Sequence, residues 1–188
     1  MKKALVQVVT LAAITAAGTL GAVLVGLLAY GTNVFDPQSP GFLFVSFGFS
    51  GALIFAFYHV RGLSEAITAA VVVSALQFVV GSASITMLRA LLFSFGLNIP
   101  VIALAFVFER KLAAHRRVRF AVVSLTFGGM FVFLTLLSDL LSESAGIPAA
   151  LFRENFVDGL LLGLGLALGV DAGEALIGSF EHPARNRT

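Results

Sequence analysis

The chain has no cysteine and no tryptophan, only two tyrosines and five prolines, and only 12% of its 188 residues are charged. Each scarcity excludes something. Without cysteine there are no disulfides, thiolate metal sites, iron–sulfur clusters or cysteine nucleophiles. With charges at about half the roughly 25% usual in soluble domains, a soluble fold of this length could not cover its own surface. No glycine-rich phosphate loop is present, so any ATP dependence would have to come from a partner. What the chain does have is hydrophobic: 59% of the residues, with 19 Phe beside 19 Gly. The solvent for most of it is lipid. The small formal charge of +2 therefore speaks to topology rather than to nucleic acid, and no nucleic-acid partner is expected.

A helix needs about 20 apolar residues to cross the hydrocarbon core. Six segments qualify, at about 4–30, 41–60, 65–87, 89–109, 118–138 and 156–178. The opening "MKKALVQVVTLAAITAAG" has the basic tip and small residues of a secretory signal. Its apolar stretch nevertheless continues to Tyr30, far beyond the ~7–15 residues of a signal core, and reads as an uncleaved first span. The breaks are "NVFDPQSPG" (33–41), "YHVRGLSE" (58–65), "GSASITMLR" (81–89), the basic "ERKLAAHRRVR" (109–119) and "SDLLSESAGIPAALFREN" (138–155), the last with room for a short interfacial helix.

Basic residues give the orientation. With the N-terminus inside, the inner side receives Lys2, Lys3, Arg61, Arg110, Lys111, Arg116, Arg117, Arg119, Arg185 and Arg187, and the outer side receives only Arg89 and Arg153. That asymmetry fits the positive-inside rule, and the "HRRVR" run (115–119) reads as its main signal. The expectation is a single all-α integral membrane domain over 1–188. It has six transmembrane helices with both termini inside, in a prokaryotic plasma (inner) membrane. A shift of 78 residues lays "FSGALIFAFYHVRGLSE" (49–65) over "FGGMFVFLTLLSDLLSE" (127–143) with six identities, among them Gly51/Gly129 and Glu65/Glu143. The match pairs span two with span five, which suggests a 3+3 inverted repeat of the kind that builds secondary transporters.

Polar or helix-weakening residues recur near the middle of the spans: Thr15, Thr19, Ser50, Gly51, Gln77, Asn98, Pro100, Thr126, Gly128 and Gly129. Pro100 removes one backbone donor and frees the carbonyl of Gly96, so "FGLNIP" (95–100) reads as a kink. Ser50, Gln77 and Asn98 are candidate solute- or ion-binding residues. Each also suits the interhelical hydrogen bonding common in membrane bundles.

Two acids close the last span. If that span ended before Asp171, the run from Phe156 to Val170 would reach only ~22 Å of a ~30 Å core. A full span includes Asp171 and extends towards Glu174. At 100° per residue the two carboxylates share a face, turned away from the stripe Gly165, Gly169 and Gly173, while Gly159 and Gly163 form a second small patch. A carboxylate at this depth must be protonated, paired or hydrated. Asp171 is thus either a coupling carboxylate or half of an ion pair. Glu174, nearer the boundary, is within reach of Arg185, Arg187 or Lys111. On the outer side Arg89 is a candidate for an anionic substrate, or it snorkels to the interface. The remaining outer charges, Asp139, Glu143, Arg153, Glu154 and Asp158, read as solvated ends or headgroup contacts.

No span contains Lys, and His59, His115 and His182 all fall at the inner surface. A retinal-type Schiff base, a haem ligand pair and a catalytic metal cluster all lack residues. No cofactor is expected. "GFSG" (48–51) matches the serine motif of intramembrane rhomboid proteases over four residues, but no later span supplies a histidine base, and an enzyme is not expected. Six spans with both ends inside in just under 200 residues resemble the substrate-binding subunits of energy-coupling-factor vitamin transporters. The first helix of those subunits presents small residues at four-residue spacing to the coupling subunit, a pattern that Ala12/Ala16 or Ala13/Ala17 would supply here. The functional expectation is a small transporter or transporter subunit for a small solute or ion, as a homo-oligomer or within a larger membrane complex. A non-transporting scaffold is the alternative.

Overall fold

In a computed structural model of the chain, residues 2–81, 87–110, 115–141 and 149–181 are described. Within them the fold is wholly helical. The elements are α1 (Lys2–Tyr30), a short 3₁₀ turn (Gly31–Phe35), α2 (Phe42–Arg61), α3 (Leu63–Gly81), α4 (Met87–Arg110), α5 (Arg116–Leu141) and α6 (Ala149–Glu181). Among the described residues, six helices are long and apolar enough to cross a membrane. In hydrocarbon, every backbone N–H and C=O must find a partner within the protein, and a helix does this locally. The apolar runs therefore fold as the sequence expects, and the chain is an integral membrane protein.

The ends follow local chemistry. α2 and α3 are joined by Gly62 alone, at φ +99°, a left-handed conformation that glycine adopts without steric cost. Its N–H caps α2 on the carbonyls of Phe57 and Tyr58. After α1 the chain tightens into the 3₁₀ turn, and Ser39 and Pro40 then lead into α2 through turn hydrogen bonds. α4 continues through Pro100 as one helix. Two expectations need adjustment. Met87 opens α4 rather than closing the third span. Residues 149–155 form no separate interfacial helix but the first two turns of α6, where the apolar Ala149, Ala150 and Leu151 simply prolong the span. Residues 82–86, 111–114, 142–148 and 182–188 lie outside the described residues, and Glu143, Lys111, His182, Arg185 and Arg187 with them.

Contacts fix the helix directions. Gly18 meets Ala52, Gly48 meets Ala22 and Gly26 meets Phe44, so α1 and α2 are antiparallel. α1 and α6 are antiparallel too, Gly21 lying on Gly165 and Gly169 and Gly173 on Ile14. α2 and α4 run parallel, Ser50 opposing Asn98 and Phe55 stacking edge-on to Phe108 at 5.2 Å. α2 occupies the middle, packed against α1, α3, α4 and α6, whereas α5 packs against α4 and α6. The matched segments of spans two and five therefore sit in different surroundings. α3 lies at the rim against α2 and α4, with Val71, Val72, Leu76, Val79 and Val80 facing outward.

The tightest seams are those of α6. A β-carbon at Gly165 would meet Ala22 Cα at 2.8 Å, and one at Gly169 would meet Gly18 Cα at 2.7 Å. On the other flank, β-carbons at Gly159 and Gly163 would meet Gly128 Cα at 2.7 Å and Ser124 Cα at 2.8 Å. Both glycine patches expected from the sequence are thus backbone-to-backbone contacts, one to α1 and the other to α5. Gly129, by contrast, faces open space. Gly169→Ala should lower the unfolding free energy in detergent by ~1–3 kcal/mol, the usual cost of overpacking. Gly129→Ala should be neutral or slightly stabilising, because helix propensity alone acts there. Equal effects of the two substitutions in denaturant titrations would contradict this packing.

Candidate functional site

Two polar clusters lie within the bundle, and they differ in kind. The first joins α2, α3 and α4. Gln77 Nε2 donates to the carbonyl and hydroxyl of Ser46, both at 3.0 Å, and reaches Ser50 Oγ at 3.1 Å. Asn98 Nδ2 donates to Gln77 Oε1 at 2.7 Å, to the Ser94 carbonyl at 2.8 Å and to Ser74 Oγ at 3.0 Å. Ser50 Oγ donates to Asn98 Oδ1 at 2.8 Å. The three candidates Ser50, Gln77 and Asn98 thus meet in one network, together with Ser46, Ser74 and Ser94, which the sequence reading did not single out. The missed residues sit three or four positions from a named one (46/50, 74/77, 94/98) and so share its helix face. Ser50, Ser74, Ser94 and Asn98 are buried, while Gln77 is half-buried on the rim helix. The cluster carries no formal charge and offers both donors and acceptors.

The second cluster lies towards the opposite ends of α5 and α6 from Tyr30 and Asp158. Arg119, in the first turn of α5, places Nη2 3.0 Å from Glu174 Oε2 and 3.5 Å from Asp171 Oδ1. Its guanidinium carbon lies 3.6 Å over the ring of Phe108 of α4, a cation–π geometry. Nδ1 of His59, in the last turn of α2, is 4.0 Å from Glu174 Oε1. Side-chain exposure rises from 8% at Arg119 through 12% at Asp171 and 24% at Glu174 to 39% at His59. The set therefore grades from interior to surface. Asp171 and Glu174 share a face, as the helical arithmetic requires, and that face meets an ion-pair partner.

The partner is Arg119 of the basic run 115–119, which is buried and bridges both acids. It heads the inward stripe of α5, Arg119–Val123–Phe127–Phe131–Leu134, at spacings of four, four, four and three. Its Nε is buried with no hydrogen-bond partner among the described residues.

At the other end Asp158 is half-buried and has a partner within the protein. Tyr30 Oη donates to its carboxylate, 2.7 Å from either oxygen. Nearby, Asn155 Nδ2 donates to Thr135 Oγ1 at 3.0 Å. Arg89 is half-buried in the first turn of α4 and joins neither cluster. No group of three or more His, Asp or Glu suited to a metal occurs among the described residues.

Two apolar grooves indent the outer surface. One lies along α1 and α2 and is lined by Ala12, Thr15, Ala16, Phe49 and Leu53. Ala13 and Ala17 instead face Gly173 and Gly169 of α6, so of the two alanine pairs only Ala12/Ala16 turns outward. The other groove lies between α4 and α5. The chain matches no known protein family model, and neither a curated protein nor a solved structure matches it.

Removing Arg119 strands two carboxylates at low exposure, whereas replacing the whole set removes the need for compensation. Arg119→Leu should therefore destabilise the protein by ~3–5 kcal/mol, while the triple variant Arg119→Leu/Asp171→Leu/Glu174→Leu should recover most of the loss. Denaturant titration of the three proteins checks the order, and a triple variant weaker than the single one would refute it.

Proposed function

We propose that this integral membrane protein is a small transporter, or the transporting subunit of a larger assembly, that moves a small solute or ion. The observation that carries the reading is the composition of the Arg119 cluster. One permanent cation faces two carboxylates, and a histidine stands at the exposed edge. Counted over these four described side chains alone, two ionised acids exceed the one arginine by one charge. A single proton, on an acid or on the imidazole, restores balance. A buried charge set with two states one proton apart is the chemistry that ion-coupled movement needs.

The substrate site in this reading is the Ser46/Ser50/Ser74/Gln77/Asn98 network. Its uncharged donors and acceptors suit a neutral, hydrogen-bonding solute, or a dehydrated monovalent cation held by hydroxyl and amide oxygens. Both clusters are built on the same two parallel helices. Ser50 and His59 are nine residues apart on α2, and Asn98 and Phe108 ten on α4, so the clusters lie about 13–15 Å apart along the helices. The Phe55–Phe108 pair fills the space between them. Arg61, Arg117 and Arg119 lie at one end of the bundle, and the positive-inside rule makes that end cytoplasmic. We assign the protein to a prokaryotic plasma membrane and to a non-enzymatic role.

A second reading, a subunit docked on a partner, draws on the outward Ala12/Ala16 pair and on Thr15, whose Oγ1 is buried without a hydrogen-bond partner among the described residues. Small residues and a hydroxyl permit close helix approach. Co-purification of a stoichiometric membrane partner, lost on Ala16→Leu, would favour it.

The transport reading is tested in proteoliposomes carrying a pH gradient and screened with small solutes and ions. The wild-type protein should show gradient-dependent uptake. Asp171→Asn should lose that uptake while remaining folded, because Arg119 keeps Glu174 as its counter-ion. Asn98→Ala should raise the half-saturation concentration. Full gradient-driven uptake by Asp171→Asn would remove the coupling role, and no uptake of any solute would favour the docked-subunit or scaffold reading.

A further inference from the structure

The groove between α4 and α5 has no part in either polar cluster. It measures about 550 Å³, and its lining is entirely apolar, with Leu92, Gly96 and Ile99 on α4 facing Met130, Phe133 and Leu137 on α5. Gly96 has no side chain, and Leu134 fills the place that one would take. Leu134 is buried against that glycine and forms the floor, while Ile99 and Phe133 form exposed walls. On α4 the lining runs from Leu91 to Pro100, about 13 Å of helix. Such a channel suits a hydrocarbon chain lying along the helices.

Its mouth is not apolar. Arg89, Leu92, Gly96 and Ile99 are spaced three, four and three residues apart, so the arginine sits on the groove's own stripe, one turn beyond Leu92. Arg89 stands in the first turn of α4, which contains no acid. Asp139, close to the mouth by its position on α5, already has an interaction of its own. A guanidinium at the end of a hydrocarbon slot, at the depth where a span begins, complements a phosphate attached to an acyl chain.

We propose that the α4–α5 groove is a binding site for one anionic phospholipid, with an acyl chain in the slot and the phosphate on Arg89. The site selects the lipid by charge at its mouth. This gives Arg89 a role distinct from contact with a transported anion and from simple snorkelling.

The chain has no tryptophan, which makes the test direct. Phe133→Trp places a single fluorophore on the groove wall, and Leu76→Trp places one on the outward face of α3. Each protein is reconstituted in phosphatidylcholine vesicles containing a minor fraction of phosphatidylglycerol, with bromine on the chains of either one lipid or the other. At Phe133→Trp, brominated phosphatidylglycerol should quench as though enriched about fivefold over its bulk fraction, the effect expected of one basic residue on an anionic lipid. Arg89→Gln in the same background should abolish the enrichment, and Leu76→Trp should show none. Quenching by each lipid in proportion to its bulk fraction at Phe133→Trp would overturn the proposal, as would an enrichment that survives Arg89→Gln. Weak quenching by both lipids that depends on protein density would also overturn it and assign the groove to a second copy of the chain.

Discussion

The bundle depends on the direct approach of the α6 backbone to α1 and α5. In lipid there is no hydrophobic drive to bring apolar helices together, because the acyl chains are as apolar as leucine. Association rests on dispersion at close range and on backbone or side-chain polar contacts. Glycine makes that range accessible. At Gly165 and Gly169 on one flank, and at Gly159 and Gly163 on the other, the space for a β-carbon is already taken by a neighbouring backbone. α6 is thereby held between two helices with little freedom to rotate. Its acids then face Arg119 for the same reason that its glycines face α1. The orientation of the charge cluster is a by-product of where side chains are missing.

The two polar clusters divide the work of holding the remaining helices. The neutral network ties α2, α3 and α4 through side chains that hydrogen-bond one another. It accounts for the attachment of α3, a helix that otherwise presents mostly valine and leucine to the lipid. The charged cluster gathers side chains from α2, α4, α5 and α6 at one end. Phe108 contributes the face of its ring, which stands in for part of the solvation that a buried guanidinium loses. Neutral hydrogen bonds of this kind can rearrange around a guest with modest cost.

Much of this was legible in the residues. Six apolar runs gave six helices, and length arithmetic carried the last span through Asp171 towards Glu174, while α6 runs on to Glu181. The wheel of α6 separated the acids from the main glycine stripe, Gly165, Gly169 and Gly173. Ser50, Gln77 and Asn98 do meet. The misses share a cause: in lipid a helix is apolar on nearly every face, so the inward stripe cannot be recognised by hydrophobicity. Arg119 was therefore counted with its basic neighbours at the membrane edge. Only the four-residue ladder to Val123, Phe127 and Phe131 marks it as inward, and that ladder is invisible among equally apolar residues. Asp158 was assigned to water for a similar reason, since its partner Tyr30 lies 128 positions away in the chain. Ser46, Ser74 and Ser94 were discoverable by spacing, because polar pairs on one helix face are rare enough in such spans to stand out.

The pairing of Arg119 with two acids of the following span also bears on how the chain enters the membrane during synthesis. An acidic residue deep in a segment opposes insertion by about 2.5–3.5 kcal/mol, and α6 contains Asp158, Asp171 and Glu174. As a solitary segment it would hesitate at the translocon. α5 emerges first, however, and offers both a counter-ion and a flat glycine–serine surface against which α6 can lie. α5 and α6 are thus best regarded as one hairpin delivered together. α1, made some 120 residues earlier, supplies the other wall and Tyr30 as the partner for Asp158. The last helix thus brings an apolar run long enough to span and finds partners for its acids in neighbours already in place.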